Sequence, residues 1–242
     1  PDNVVVGVGR AQTDFCDASA VDRLVAEVAP HAIVHLAGVV PSSARAAAGL
    51  ADNVTMTRAV ASASERHGVQ RVVLASSAAV YGDSHDFALT EDQPLDARSD
   101  YARSKLESEA VLAAADVESV ALRIFNIFGP GFDDSLVHRL ITSEAADPLP
   151  VRGLDVFIRD YIHVDDVAEA VLRAVQVPLS AKAVVNVGTG VAMSTRELIR
   201  ALSREHELHY VETEGTPSVS FADTSVAQRL LSFRASRSVT DG

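Results

Sequence analysis

The sequence has no tryptophan, one cysteine, two methionines, and two lysines, Lys105 and Lys182. A lone Cys16 excludes an internal disulfide and favours a reducing compartment, so a cytoplasmic location is expected. Basic residues are outnumbered 33 to 21, and the formal charge of −12 argues against nucleic acid or an anionic membrane surface as the main partner. No apolar run is long enough to span a bilayer. Aromatic residues make up only 5% of the chain. What remains is rich in alanine and valine, 48% hydrophobic over 242 residues, and able to bury a substantial core.

Short apolar runs alternate with helical patterns almost from end to end. Residues 4–8, 32–37, 71–76, 120–125 and 184–187 read as buried strands. Between them, helices are expected after an N-cap at Asp17, over 53–67 up to Gly68, over 101–115 and over 164–175. Ser194-Thr195-Arg196-Glu197 reads as a capping box opening a last helix at 198–202. Continuous apolar strands separated by helices predict an α/β fold, a doubly wound parallel sheet covered on both faces. Stretches 129–134 and 147–155, richer in Asp, Pro and Gly, mark crossings into a small C-terminal lobe. The expected division is therefore 1–127 with 157–190, and 128–156 with 191–242.

The segment Tyr101-Ala102-Arg103-Ser104-Lys105 carries the most chemistry. Four residues make just over one helical turn, so the phenol and the ammonium share a face. A phenol is a poor base at neutral pH, and a cation beside it favours the phenolate. Such a pair suits proton transfer to or from a hydroxyl. Ser77, at the end of strand 71–76, lies where a parallel sheet presents ligands. The His206/His209 region lacks a third ligand and reads as a solvated helix end, so no metal is expected. Gly188-Thr189-Gly190 reads as a strand-to-helix turn.

Several longer segments fit one family in the right order. They are His35-Leu36-Ala37-Gly38, Leu74 to Gly82, Thr90-Glu91-Asp92-Gln93-Pro94, the Tyr101–Lys105 segment, Leu122 to Asn126 followed by Gly129-Pro130-Gly131, and Arg159 to Ala168. Together they resemble the extended short-chain dehydrogenase/reductase family, in its nucleotide-sugar epimerase and reductase branch. The resemblance implies Tyr101 as acid/base, Lys105 as its modulator and a ribose contact, and Ser77 as a donor to the reacting oxygen. It points to Asp14 and Phe15 at the adenine and to Leu36, Ala37 and Gly38 along the ribose and pyrophosphate. Asn53, Ala75 and Phe125 lie nearby, and Asn126 and Arg159 match contacts to a sugar-nucleotide diphosphate. A homodimer through helices 53–67 and 101–115 is implied as well.

The sequence also departs from that family. Its opening strand, Gly-x-x-Gly-x-x-Gly turn and helix are not seen, and strand 4–8 aligns with the second strand of such a domain. Gly9 and Arg10 then stand where an acidic residue marks NAD, which tilts the expected cofactor toward NADP over NAD. Ala78 and Ala79 replace the acidic pair of sugar dehydratases, and Glu214-Gly215-Thr216-Pro217 replaces an arginine-bearing turn. The expected function is NAD(P)-dependent epimerisation or reduction at a hydroxyl or keto carbon of a nucleotide-linked sugar. The alternative is a non-catalytic NAD(P) sensor of the same fold.

Overall fold

The computed structural model describes residues 4–40, 46–82, 85–178 and 182–241. The chain packs as two compact units, Pro1–Ser76, Ala97–Ala121 and Pro178–Ala183 in one, and Ser77–Asp96, Leu122–Val177 and Val184–Gly242 in the other.

The first unit runs through α1 (Ala18–Val28), β1 (Ala32–His35), α2 (Ala46–His67), β2 (Arg71–Ser77), α3 (Asp100–Ala114) and the start of β3 (Glu118–Ile124). Asp17 caps α1 as its sequence suggests, its carboxylate accepting from the amides of Ser19 at 2.9 Å and Ala20 at 3.2 Å. Gly68 follows α2 at φ +67, a left-handed conformation that costs glycine little. β1 and β2 pair in parallel, from Ala32 opposite Arg71 to His35 opposite Leu74, and β2 has β3 as its other neighbour. Val72, Val73 and Leu74 are almost fully buried, the pattern of a strand with no solvent face. Val21 and Val25 of α1, Ala59, Val60 and Ala63 of α2, and Leu112 of α3 close over Val72 and Leu74. Each buried Val or Leu contributes about 1.5–3 kcal/mol, and the alanines let the helices approach closely.

The second unit contains β4 (Asn126–Phe128), α4 (Leu136–Ile141), β5 (Leu149–Arg152), β6 (Phe157–Arg159), β7 (Tyr161–His163), α5 (Val164–Gln176) and β8 (Ala183–Val187). It continues with β9 (Met193–Ser194), α6 (Thr195–Leu202), β10 (Tyr210–Thr213), β11 (Ser218–Ser220) and α7 (Ser225–Leu231). β8 lies beside β3. The smaller ladders β4–β7, β5–β10 and β6–β11 are parallel, while β6–β9 is antiparallel. The capping box forms as expected, with Ser194 and Glu197 bonded reciprocally at the start of α6. Phe128, Leu140, Val151, Leu154, Leu198 and Leu202 form the core of this unit.

Parallel strands alternating with helices give the α/β architecture. One expected strand is not seen among the described residues. Residues 4–8 join no ladder, and Val4, Val5 and Val6 are 93%, 85% and 56% exposed. A β-branched run has the propensity for a strand, but pairing along the main chain completes one. Among the described residues, no helix is long and apolar enough to cross a membrane.

Candidate active site

α3 positions the Tyr101–Lys105 pair. Ser99 caps this helix by accepting from the amide of Ala102 at 3.1 Å, which fixes the first turn and with it the direction of Tyr101. The ammonium of Lys105 lies 5.8 Å from the centroid of the Tyr101 ring. Lys105 is only 7% exposed, and its Nζ donates to the carbonyl of Ala75 at 2.8 Å. Burial pulls its pKa down to about 8, against the opposing pull of the Glu109 carboxylate. The segment after β1 comes close to the same cation: a Cβ added at Gly38 would stand 3.4 Å from Lys105 Nζ and 3.5 Å from Asn53 Oδ1.

Asn53 staples this segment. Its Oδ1 accepts from the Val39 amide at 2.7 Å, and its Nδ2 donates to the Val39 carbonyl and to Ser104 Oγ, each at 3.1 Å. The amide of Asn53 is thus spent on protein partners, and its effect on residues 36–38 is indirect. Leu36 and Gly38 are exposed and Ala37 half-buried, an open run at the C-terminal end of a parallel strand. That setting fits a dinucleotide, with little side-chain bulk beside the segment and a lysine at its edge. Asp14 is exposed and accepts from the Cys16 amide at 3.0 Å, while Phe15 packs against the first core. Arg10 stands exposed in the turn where Gln12 and Thr13 donate to the Gly9 carbonyl. Since 4–8 is not a strand, the placement that tied Arg10 to a ribose phosphate loses its footing.

The other expected residues belong to the second unit. Ser77 caps a short 3-10 turn over Ala78–Tyr81, its Oγ accepting from the Ala79 amide at 3.2 Å. Accepting one bond leaves the hydroxyl proton to be donated elsewhere. Phe125 is buried, with its amide on the Val187 carbonyl at 3.0 Å. Asn126 Nδ2 donates to the Asp160 carbonyl at 3.1 Å. The guanidinium of Arg159 stacks 3.7 Å from the Phe157 ring centroid and donates to the carbonyl and hydroxyl of Ser218 at 2.8 and 2.7 Å. Asp160 accepts from the amides of Thr189, Gly190 and Ala222 and from the Thr189 hydroxyl. The Gly188–Gly190 turn therefore wraps a buried carboxylate.

Sequence reasoning missed three residues around Lys105. Ser76 on β2 donates a short hydrogen bond to Glu109 on α3, and both are buried. His35 is buried at the end of β1 with its Nε2 3.2 Å from Thr57 Oγ1. Burial, with the charge of Lys105 adding to it, lowers its pKa to about 4 and keeps it neutral. The position of Glu109 four residues after Lys105 was the available signal, because that spacing puts a carboxylate on the lysine's face.

Comparison with known proteins fits this geometry. The model of the NAD dependent epimerase/dehydratase family matches residues 3–188. UDP-glucose 4-epimerase of Bacillus subtilis is 32% identical over 95% of this chain and 78% of its own length. The dTDP-glucose 4,6-dehydratase of Streptomyces griseus is 30% identical over 100% of the chain and 79% of its own length. Among solved structures, UDP-glucose 4-epimerase from Stenotrophomonas maltophila, with bound NAD and a formylated UDP-arabinopyranose, superposes with a TM-score of 0.81. It is 30% identical and covers 95% of this chain and 79% of that one. That neighbour carries NAD and lends no support to a preference for NADP. The chain belongs to the NAD dependent epimerase/dehydratase family.

Proposed function

We propose that this chain is an NAD-dependent epimerase of a nucleotide-linked sugar, with a UDP-hexose as substrate and the doubly wound sheet of a dinucleotide-binding domain. The observation that carries the reading is the α3 pair, with Lys105 fixed on the Ala75 carbonyl beside the Tyr101 ring. The names of the relatives supply the substrate class.

Tyr101 takes the proton of a sugar hydroxyl and returns it, and the cation beside its ring favours the phenolate that does so. Ser77 donates to the reacting oxygen with the proton that its bond from Ala79 leaves available. Arg159, held by Ser218, and Asn126 face the diphosphate, where a fixed guanidinium suits phosphate oxygens. Leu36, Ala37 and Gly38 would hold the cofactor's ribose and pyrophosphate, Asp14 and Phe15 its adenine, with Ala75 and Phe125 alongside and Lys105 at a ribose. When bound, NAD supplies a reversible hydride acceptor for the carbinol carbon.

Ala78 and Ala79 after Ser77 favour epimerisation over dehydration, which needs an acid and a base at the adjacent carbon. By ligand, residues 1–127 and 157–190 serve the cofactor, and 128–156 and 191–242 the substrate. This division cuts across the packing units. The chain works as a homodimer through α2 and α3, and light scattering that returns the monomer mass refutes that part.

The test incubates the protein with UDP-glucose and NAD and follows UDP-galactose by NMR. Redox-neutral interconversion is expected. NADPH oxidation with a 4-keto sugar nucleotide would make the chain a reductase, and NAD binding without turnover a sensor.

A further inference from the structure

The surroundings of Lys105 contain more than its ammonium requires for one hydrogen bond. Two consecutive residues of β2 meet two consecutive turns of α3. The Ala75 carbonyl accepts from Lys105 Nζ at 2.8 Å, and the Ser76 hydroxyl donates to the carboxylate of Glu109. Ser76, Lys105 and Glu109 are 4%, 7% and 7% exposed, so this ladder is shielded from bulk water. Successive residues of a strand point to opposite faces, but here a main-chain carbonyl and the next side chain serve one helix face together. The Lys-to-Glu spacing of four along α3 completes the rectangle.

We propose that Glu109, anchored by Ser76, is a positioning residue that keeps Lys105 a cation seated on Ala75, and so keeps Tyr101 beside a positive charge. This rests on the reading of Tyr101 and Lys105 as the proton-transfer pair. A buried ammonium with only a carbonyl for partner loses its proton readily, because burial penalises the charged form. The groups facing Lys105 are Tyr101 and Glu109 on its own helix, the Ala75 carbonyl on β2 and His35 on β1. His35 is neutral and offers no negative charge. Glu109 is the counter-charge that raises the proton affinity of Lys105, which burial otherwise brings down to about 8. A buried carboxylate needs donors in turn, and Ser76 is one.

The composition makes a direct test possible. With lysine labelled at Cε by carbon-13, the protein gives two side-chain signals, from Lys105 and Lys182. Lys182 donates to the Ala113 carbonyl and serves as the internal control. In Glu109→Gln, which keeps the shape and an acceptor for Ser76, the Lys105 titration midpoint should fall by about one pH unit while Lys182 stays put. Glu109→Asp should restore most of the difference, and Ser76→Ala should show a smaller fall in the same direction. Equal Lys105 midpoints in wild type and Glu109→Gln overturn the proposal, as does a Glu109→Asp midpoint as low as that of Glu109→Gln. The alkaline limb of kcat/KM is measured on the same samples and should follow the Lys105 midpoint. If the midpoint moves and the limb does not, Glu109 holds the charge as proposed and the assignment of Lys105 to the chemistry is what fails.

Discussion

Asp160 offers a stringent test of how the second unit is held together. Its side chain has no exposure, and each carboxylate oxygen accepts two bonds. Oδ1 takes the Thr189 amide at 2.8 Å and the Thr189 hydroxyl at 2.6 Å, while Oδ2 takes the Gly190 amide at 2.9 Å and the Ala222 amide at 3.2 Å. Burial raises the carboxyl's pKa on balance, and these donors offset part of that rise. Four donors at two oxygens still suit a carboxylate, which can accept from all of them. Asp160→Asn leaves one oxygen. Turned toward Thr189, its NH₂ group can use the hydroxyl as an acceptor, but it strands the Thr189 amide and removes the charge from the other bonds. One buried N–H without an acceptor, plus weakened neighbours, costs about 2–4 kcal/mol. Asp160→Ala strands every donor and should exceed about 4 kcal/mol, a loss few single substitutions reach. Gly188 belongs to the same cage, since a Cβ there would stand 2.6 Å from Asp160 Oδ2. Urea unfolding followed by far-ultraviolet circular dichroism gives the difference, with amide exchange at Thr189 and Gly190 locating it. If Asp160→Asn costs less than about 0.5 kcal/mol, the carboxylate is not the organising charge described here.

Two further predictions concern the first unit. The pKa of His35, about 4 in the fold, lies below the ordinary imidazole value of about 6.5. A histidine buried neutral contributes its full stability above the unfolded value and loses it as pH falls toward the folded one. Wild type should therefore lose about 3 kcal/mol more than His35→Gln between pH 6.5 and 4. Parallel pH profiles of unfolding free energy for the two would contradict this. Asn53→Ala frees Val39 and Ser104 from their shared partner, so the segment after β1 should loosen and NAD binding weaken by roughly tenfold, or about 1.4 kcal/mol. Titration calorimetry showing an unchanged Kd would remove Asn53 from the support of residues 36–38.

What was legible in the sequence was mostly local. The Asp17 cap, the Ser194–Glu197 box and the glycine after α2 are decided within a few residues, and each stands where its motif puts it. The same holds for Tyr101 and Lys105, whose helical spacing needs nothing from the rest of the chain. Features that depend on distant partners were not readable. Val4–Val8 has the composition of a buried strand, yet no neighbour pairs with it among the described residues. The three-residue strands β4, β6, β7 and β11 are too short to show a period and exist through pairing across long separations. Ser76 is 33 positions from Glu109, and only the approach of β2 to α3 reveals their bond. Arg10 depends on such distant partners too. The preference for NADP drawn from its place leaned on strand 4–8, which joins no ladder among the described residues. The related structure with bound NAD lends that preference no support.

The most direct test of the central claim is the turnover of Tyr101→Phe. Removing the phenol oxygen while keeping the ring should cut kcat for UDP-sugar interconversion by at least about 100-fold, the usual contribution of a positioned acid/base. NAD affinity should stay within a few-fold of wild type, because Lys105 and the segment after β1 are untouched. A Tyr101→Phe enzyme that interconverts UDP-glucose and UDP-galactose at the wild-type rate would show that the proton travels by another group.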